Sequence, residues 1–209
     1  MQDEKHVNWF ALEKICEKPG CPVCNIVDER SERYIDNMLF EHVSDRGFRA
    51  KYRQAGGFCS RHAANLESFR DGLAVAILGV DILSTILPEL IKKRAPHFKG
   101  GCPACAESAR VESEFLGYLG ERNEEEFISL FTASDGLCVP HYRMLVRMSR
   151  KLPRWLTDFQ QNKFETLLER SKRFVEYSAW GRQEDFASLD EKDRLVWKEL
   201  AKTLRGASN

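Results

Sequence analysis

The sequence predicts an all-α protein, an internally duplicated helical bundle with two metal-binding repeats, and three observations carry that prediction. A cysteine-rich pattern occurs twice. Gly20-Cys21-Pro22-Val23-Cys24 is followed by Gly57-Phe58-Cys59-Ser60-Arg61-His62, and Gly101-Cys102-Pro103-Ala104-Cys105 by Gly136-Leu137-Cys138-Val139-Pro140-His141. The leading cysteines lie 81 positions apart and the third cysteines 79 apart, with Phe48 and Phe127, and Leu66 and Leu145, in step. A recurrence at fixed spacing marks duplication. Between the motifs, apolar residues recur at helical spacing amid charge: Ile26, Tyr34 and Leu39 in one copy, Val111, Phe115 and Leu119 in the other. No stretch alternates apolar and polar residues between turn signals, so no sheet is expected.

In chain order, Met1 to His6 is charged and no apolar stretch of signal-peptide length follows, which argues against export. Pro22 and Pro103 suit the first position of a helix, where a missing amide costs nothing. The glycines before Cys59 and Cys138 are expected to end one helix, and the residues after them to open another that carries the histidine. Leu73 to Leu90 is nearly long and apolar enough to span a bilayer. Asp81 at its middle and Pro88 near its end favour a central core helix joining the two halves, with the charge paired. Pro153 opens a helix to about Tyr177 whose Trp155, Phe159, Leu167 and Phe174 pack on the repeats. Asp190 starts a last short helix with Leu195, Trp197 and Leu200, and the chain frays from about Gly206. The expected organisation is residues 1–95 as the first repeat with the apolar connecting helix, 96–152 as the second repeat, and 153–209 as C-terminal helices.

The repeated residues have the chemistry of metal ligands. Two ligands separated by two residues reach one ion from a tight turn, and zinc favours four thiolate and imidazole donors. Cys21 and Cys24, Cys59 and His62, Cys102 and Cys105, and Cys138 and His141 all have that spacing. On a helix, residues three apart share a face, so Cys-x-x-His can chelate without strain. Two three-cysteine, one-histidine sites follow, with two zinc ions per chain. Each metal would tie a long helix to a Cys-x-x-His helix; whether a knuckle pairs within its own copy or with the other is open. Cys16 and His97 stand at the same offset before the two knuckles. Cys16 also fits an apolar helix face with Phe10 and Leu12. With Cys21 and Cys24 it reproduces the C-x4-C-x2-C spacing of plant-type ferredoxins, which keeps an iron-sulfur electron carrier or redox sensor as the alternative.

Other chemistries find less support. A thioredoxin-type dithiol needs a βαβ setting. Asn25 and Ala106 stand where a c-type haem requires histidine. Four protein ligands leave no open position for catalytic water, and no HExxH or Gly-rich phosphate loop occurs, so an enzyme is not expected. Glu124 to Glu126 reads as a solvated helix face, and His6 and His42 have no partner set. The 32 basic and 32 acidic residues balance, so no net field holds nucleic acid or an anionic membrane. Lys92, Lys93 and Arg94, and Arg147, Arg150 and Lys151, read as solvated helix ends. Seven cysteines, six of them patterned with histidine, suit reduced thiols and a cytoplasmic protein with a protein partner.

The pairing of CPxC with GxCxxH, twice, before a helical tail resembles an uncharacterised bacterial family of unknown function over most of the chain. That resemblance implies a bacterial cytoplasmic protein and supplies no activity.

Overall fold

A computed structural model describes residues 7–149 and 151–206; His6 and Arg150 lie outside the described residues. Within those there are twelve α-helices and no strand, as expected. The helices are α1 (Val7–Cys16), α2 (Pro22–Asn37), α3 (Arg46–Ala55), α4 (Ser60–Ala64), α5 (Gly72–Ile91) and α6 (Pro103–Glu121). There follow α7 (Glu125–Thr132), α8 (Val139–Met148), α9 (Arg154–Tyr177), α10 (Gln183–Ser188), α11 (Glu191–Arg194) and α12 (Val196–Arg205). The chain divides into two compact units. The first comprises the residues up to Ile26 and those from Glu112 onward, the second Val27–Val111, so the division falls inside α2 and α6.

The second unit is built around Ile35, Met38, Leu39, Tyr52, Ala74, Leu78 and Ala104, from α2, a π turn at Met38–His42, α3, α5 and α6. Asp45 caps α3 by accepting from the Phe48 amide, which satisfies one of the free donors at a helix start. Gly56 ends α3 with φ +78°, and a Cβ there would stand 2.6 Å from the Phe98 ring, so the position demands glycine. The apolar helix α5 departs from its expected role as a central helix joining the halves. It belongs to this unit, burying Ala74, Leu78 and Asp81 and leaving Leu73, Val80, Leu83, Leu87, Leu90 and Ile91 exposed. Asp81 is paired as expected: Arg49 donates to both its oxygens at 2.6 and 2.7 Å, and Arg53 lies 3.1 Å away. These bonds to Arg49 hold the Asp81 carboxyl below the usual aspartate range against the opposing effect of burial. Among the described residues α5 is the one helix long and apolar enough to cross a bilayer.

The first unit packs Leu12 and Ile15 of α1, Val23 and Ile26 of α2, Phe115, Leu116 and Leu119 of α6, and Phe127 and Phe131 of α7 in its core. Trp155 of α9 meets Phe127 and Phe131 edge-on, and its indole donates to the Arg122 carbonyl at 2.8 Å. The C-terminal helices are pinned to α9 through Arg170, which bonds Asp193 and Glu199, each at 2.7 Å. The last segment departs from expectation: Asp190 caps the short α11, and the chain turns at Leu195 before α12 starts. Leu195 and Trp197 are exposed, whereas Val196 is buried.

The duplication reaches beyond the cysteines. Asp45 and Glu124 both stand at the N-cap position, of α3 and α7, although only Asp45 accepts a helix-start amide; Phe48 and Tyr52 match Phe127 and Phe131, and α4 corresponds to α8. Glu124 to Glu126 is therefore a helix N-terminus, where negative charge meets the positive end of the dipole, rather than a lateral face.

Candidate metal centres

All four half-sites share one local conformation. Cys59 and Cys138 are N-caps with nearly identical dihedrals, φ −67° and ψ 166° against φ −69° and ψ 163°. The carbonyls of Cys21 and Cys102 likewise accept the first helical bonds, from Asn25 and Ala106. Each pair therefore occupies the cap and the third helical position, where both side chains reach past the helix end. Pro22 and Pro103 sit at first helical positions, as expected.

The half-sites pair crosswise between the copies. Cys21 and Cys24 meet Cys138 and His141 in the first unit, and Cys59 and His62 meet Cys102 and Cys105 in the second. In each group all donor atoms lie within 4.8 Å of one another. The His141 Nδ1 stands 3.4, 3.4 and 3.1 Å from the sulfurs of Cys21, Cys24 and Cys138. The His62 Nδ1 stands 3.2, 3.4 and 3.4 Å from those of Cys59, Cys102 and Cys105. One ring N–H cannot serve three acceptors, so the arrangement is that of four donors converging on a common centre. Cys24 and Cys138 are 3.7 Å apart and Cys59 and Cys105 3.6 Å, far outside disulfide length, and none of the seven cysteines is in a disulfide. Two helix N-termini face each group, α2 and α8 in one and α4 and α6 in the other, and their dipoles favour thiolates.

The surroundings of the two groups differ. The His141 Nε2 is 2.7 Å from Glu112, whereas the His62 Nε2 is buried with no hydrogen-bond partner. Burial, assisted by Arg61, lowers the His62 pKa and favours the neutral imidazole that a metal requires. In the first group Cys24, Cys138 and His141 are buried and Cys21 is half-buried; in the second His62 is buried, Cys59 and Cys102 are half-buried and Cys105 is exposed. Gly206, with φ +78°, packs on the first group: a Cβ there would lie 3.3 Å from the Cys138 sulfur and 3.7 Å from that of Cys24. The C-terminal segment expected to fray is, at Gly206, a buried lid on the thiols.

Several supporting residues have no signature in the motifs. Gln160 of α9 clamps both backbone groups of Leu137, accepting from its amide at 2.7 Å and donating to its carbonyl at 3.0 Å. Asp135 receives the Gly20 amide at 2.6 Å, which fastens one half-site loop to the other in the first unit. Gly136, expected to end a helix, stands four residues beyond Thr132 and instead turns the chain against Gln160. Neither Cys16 nor His97 enters a donor group. Cys16 is a core residue beside Leu12 and Ile15, its thiol pushed up to about 12 by burial, while Phe10 of the expected apolar face is exposed. His97 is exposed.

Fold and site together define an all-helical protein with two cysteine-histidine clusters able to hold metal ions. Residues 9–104 match a family model described as a family of unknown function, DUF6062, which spans the first repeat and the opening of the second. The chain is also 26% identical over 165 residues, 75% of its own length and 81% of the relative's, to an uncharacterized 23.9 kDa protein in the xynA 3' region of Caldicellulosiruptor sp. (strain Rt8B.4). The resemblance to an uncharacterised family thus stands. No solved structure matches.

Proposed function

We propose that the chain binds two zinc ions, one per unit, as structural centres of a cytoplasmic helical scaffold that presents a surface to a protein partner. The observation that carries this reading is the tetrahedral spacing of the donors. Zinc–sulfur bonds of about 2.3 Å and zinc–nitrogen bonds of about 2.0–2.1 Å set sulfurs about 3.8 Å apart and sulfur and nitrogen about 3.6 Å apart. The observed separations of 3.6 and 3.7 Å between sulfurs, and 3.1 to 3.4 Å from sulfur to nitrogen, lie within about half an ångström of those edges. Donors that all fall within 4.8 Å enclose one ion and leave little room for a two-iron core.

Four protein donors complete the shell, so the metal's part is to bind helices together rather than to activate water. Each ion would join two helix starts from different repeats, which makes metal binding part of folding. Elemental analysis and a visible spectrum of protein purified without oxygen test the reading. Two zinc per chain without visible absorbance is the expected result, and Cys59→Ser should remove one equivalent. Iron with sulfide and a visible chromophore would replace zinc by iron-sulfur chemistry; unchanged metal content in Cys59→Ser would overturn the ligand assignment.

A further inference from the structure

On α5, Leu73, Ala76, Val80, Leu83, Leu87 and Leu90 follow one another at alternating steps of three and four residues, and all six are exposed. That is the seam of a coiled coil, with 73, 80 and 87 at one core position and 76, 83 and 90 at the other. The opposite face is occupied within its own unit, where Ala74, Leu78 and Asp81 are buried and Val75 and Ile82 pack on the core. From Leu73 to Ile91 the ionisable residues are Asp81, which faces the arginines of α3, and Glu89, which pairs with Lys92 and Arg94 beyond the helix end. The seam itself is free of charge over a helix about 30 Å long.

We propose that this seam is the interface of a homodimer in which two α5 helices pack antiparallel about a two-fold axis between Val80 and Leu83. Three features favour a second copy. First, the antiparallel register sets Leu73 against Leu90, Val80 against Leu83 and Ala76 against Leu87 of the other copy, so every core position meets its complement and the small residue faces a large one. Second, the antiparallel register runs the helix dipoles in opposition. A parallel pair would instead stack Lys92, Lys93 and Arg94 on their own copies. Third, Leu73, Val80, Leu83, Leu87 and Leu90 are each 55–73% exposed, so covering the whole seam removes at most about 1,200 Å² for the pair, the lower edge of a specific stable interface. A symmetric pair buries one patch with itself and closes, leaving no exposed apolar seam.

Sedimentation velocity with light scattering on the full chain, with zinc content measured on the same samples, tests this. The expected result is a mass twice 24.1 kDa for the wild type and a single 24.1 kDa for Leu83→Glu, at equal zinc and equal helicity. A monomeric wild type at 100 µM overturns the proposal. So does a wild type that co-floats with vesicles of phosphatidylcholine and phosphatidylglycerol where Leu83→Glu does not, since the seam would then bind a lipid surface. A dimer lacking zinc would fail the metal reading and leave the interface standing.

Discussion

The His141 Nε2 and the Glu112 Oε1 are 2.7 Å apart, and that bond has no counterpart at His62. Glu112 and Ser31 follow the leading cysteine of their copies at the same interval, so Ser31 occupies the place of the carboxylate in the first copy. The Ser31 hydroxyl, like the His62 Nε2, is buried with no partner. A carboxylate behind a ligating imidazole fixes its tautomer and raises its basicity, and losing it typically costs 10–100-fold in metal affinity. Glu112→Gln should therefore weaken one of two zinc sites by roughly that factor in a chelator competition and leave the other unchanged. Equal weakening of both, or of neither, would contradict the assignment.

The same asymmetry orders metal loss. Thiolate exposure controls oxidation and alkylation, and Cys105 is exposed whereas Cys24 and Cys138 are buried beneath Gly206. Under mild peroxide or a chelator, one zinc equivalent should leave quickly and the second slowly. Mass mapping of N-ethylmaleimide adducts should find Cys105 labelled before Cys24 and Cys138. Simultaneous release with uniform labelling is the outcome that removes the distinction.

The lid can be tested separately. Gly206 adopts φ +78° and ψ −171°, a region open essentially to glycine alone, and an added methyl would press on the Cys138 sulfur at 3.3 Å. Gly206→Ala should destabilise the protein by about 1–3 kcal/mol, the usual scale of such backbone strain, and should speed release of the slower zinc. Thermal melts and release kinetics on the same variant read both effects. Wild-type release kinetics would mean that the segment covers the site without constraining it.

Much of this was legible in the sequence because ligand spacing and helix starts are local signals. The Cys-Pro-x-Cys and Cys-x-x-His motifs announce the cap and the third helical position through proline, glycine and a three-residue step, and the eight donors converge in the structure. The crosswise pairing of half-sites was not legible, because both pairings use the same eight residues. It follows from α2 and α6 each contributing its start to one unit and its remainder to the other. Gln160 and Glu112 escaped notice because each meets its site only through tertiary packing. The place of α5 is illegible in the sequence for a related reason. High hydropathy announces that a helix needs cover, but whether that cover comes from the same chain depends on contacts that composition does not encode.

The ion pair that holds α5 in place makes the last prediction. Asp81 receives two hydrogen bonds from Arg49 and a third contact from Arg53, across a side chain that is 9% exposed while the arginines are 31% and 37% exposed. Hydrogen bonds to charged groups contribute about 1.5–3 kcal/mol net, and partial exposure of the arginines places this site toward the lower end. Asp81→Asn should thus lose roughly 1.5–2 kcal/mol at pH 7 by urea unfolding. The sign of the pH dependence follows from the depressed carboxyl pKa of the folded state. Such a group contributes fully above its unfolded pKa of about 3.9, and the contribution fades as the pH falls through the lower folded value. The gap between wild type and Asp81→Asn should hold constant from pH 8 to pH 5 and shrink only below the ordinary aspartate range. Protonation of metal ligands above that range lowers the stability of both proteins alike and leaves their difference intact. A gap that closes between pH 7 and 6 would assign the loss to the metal centre rather than to the Arg49–Asp81 pair.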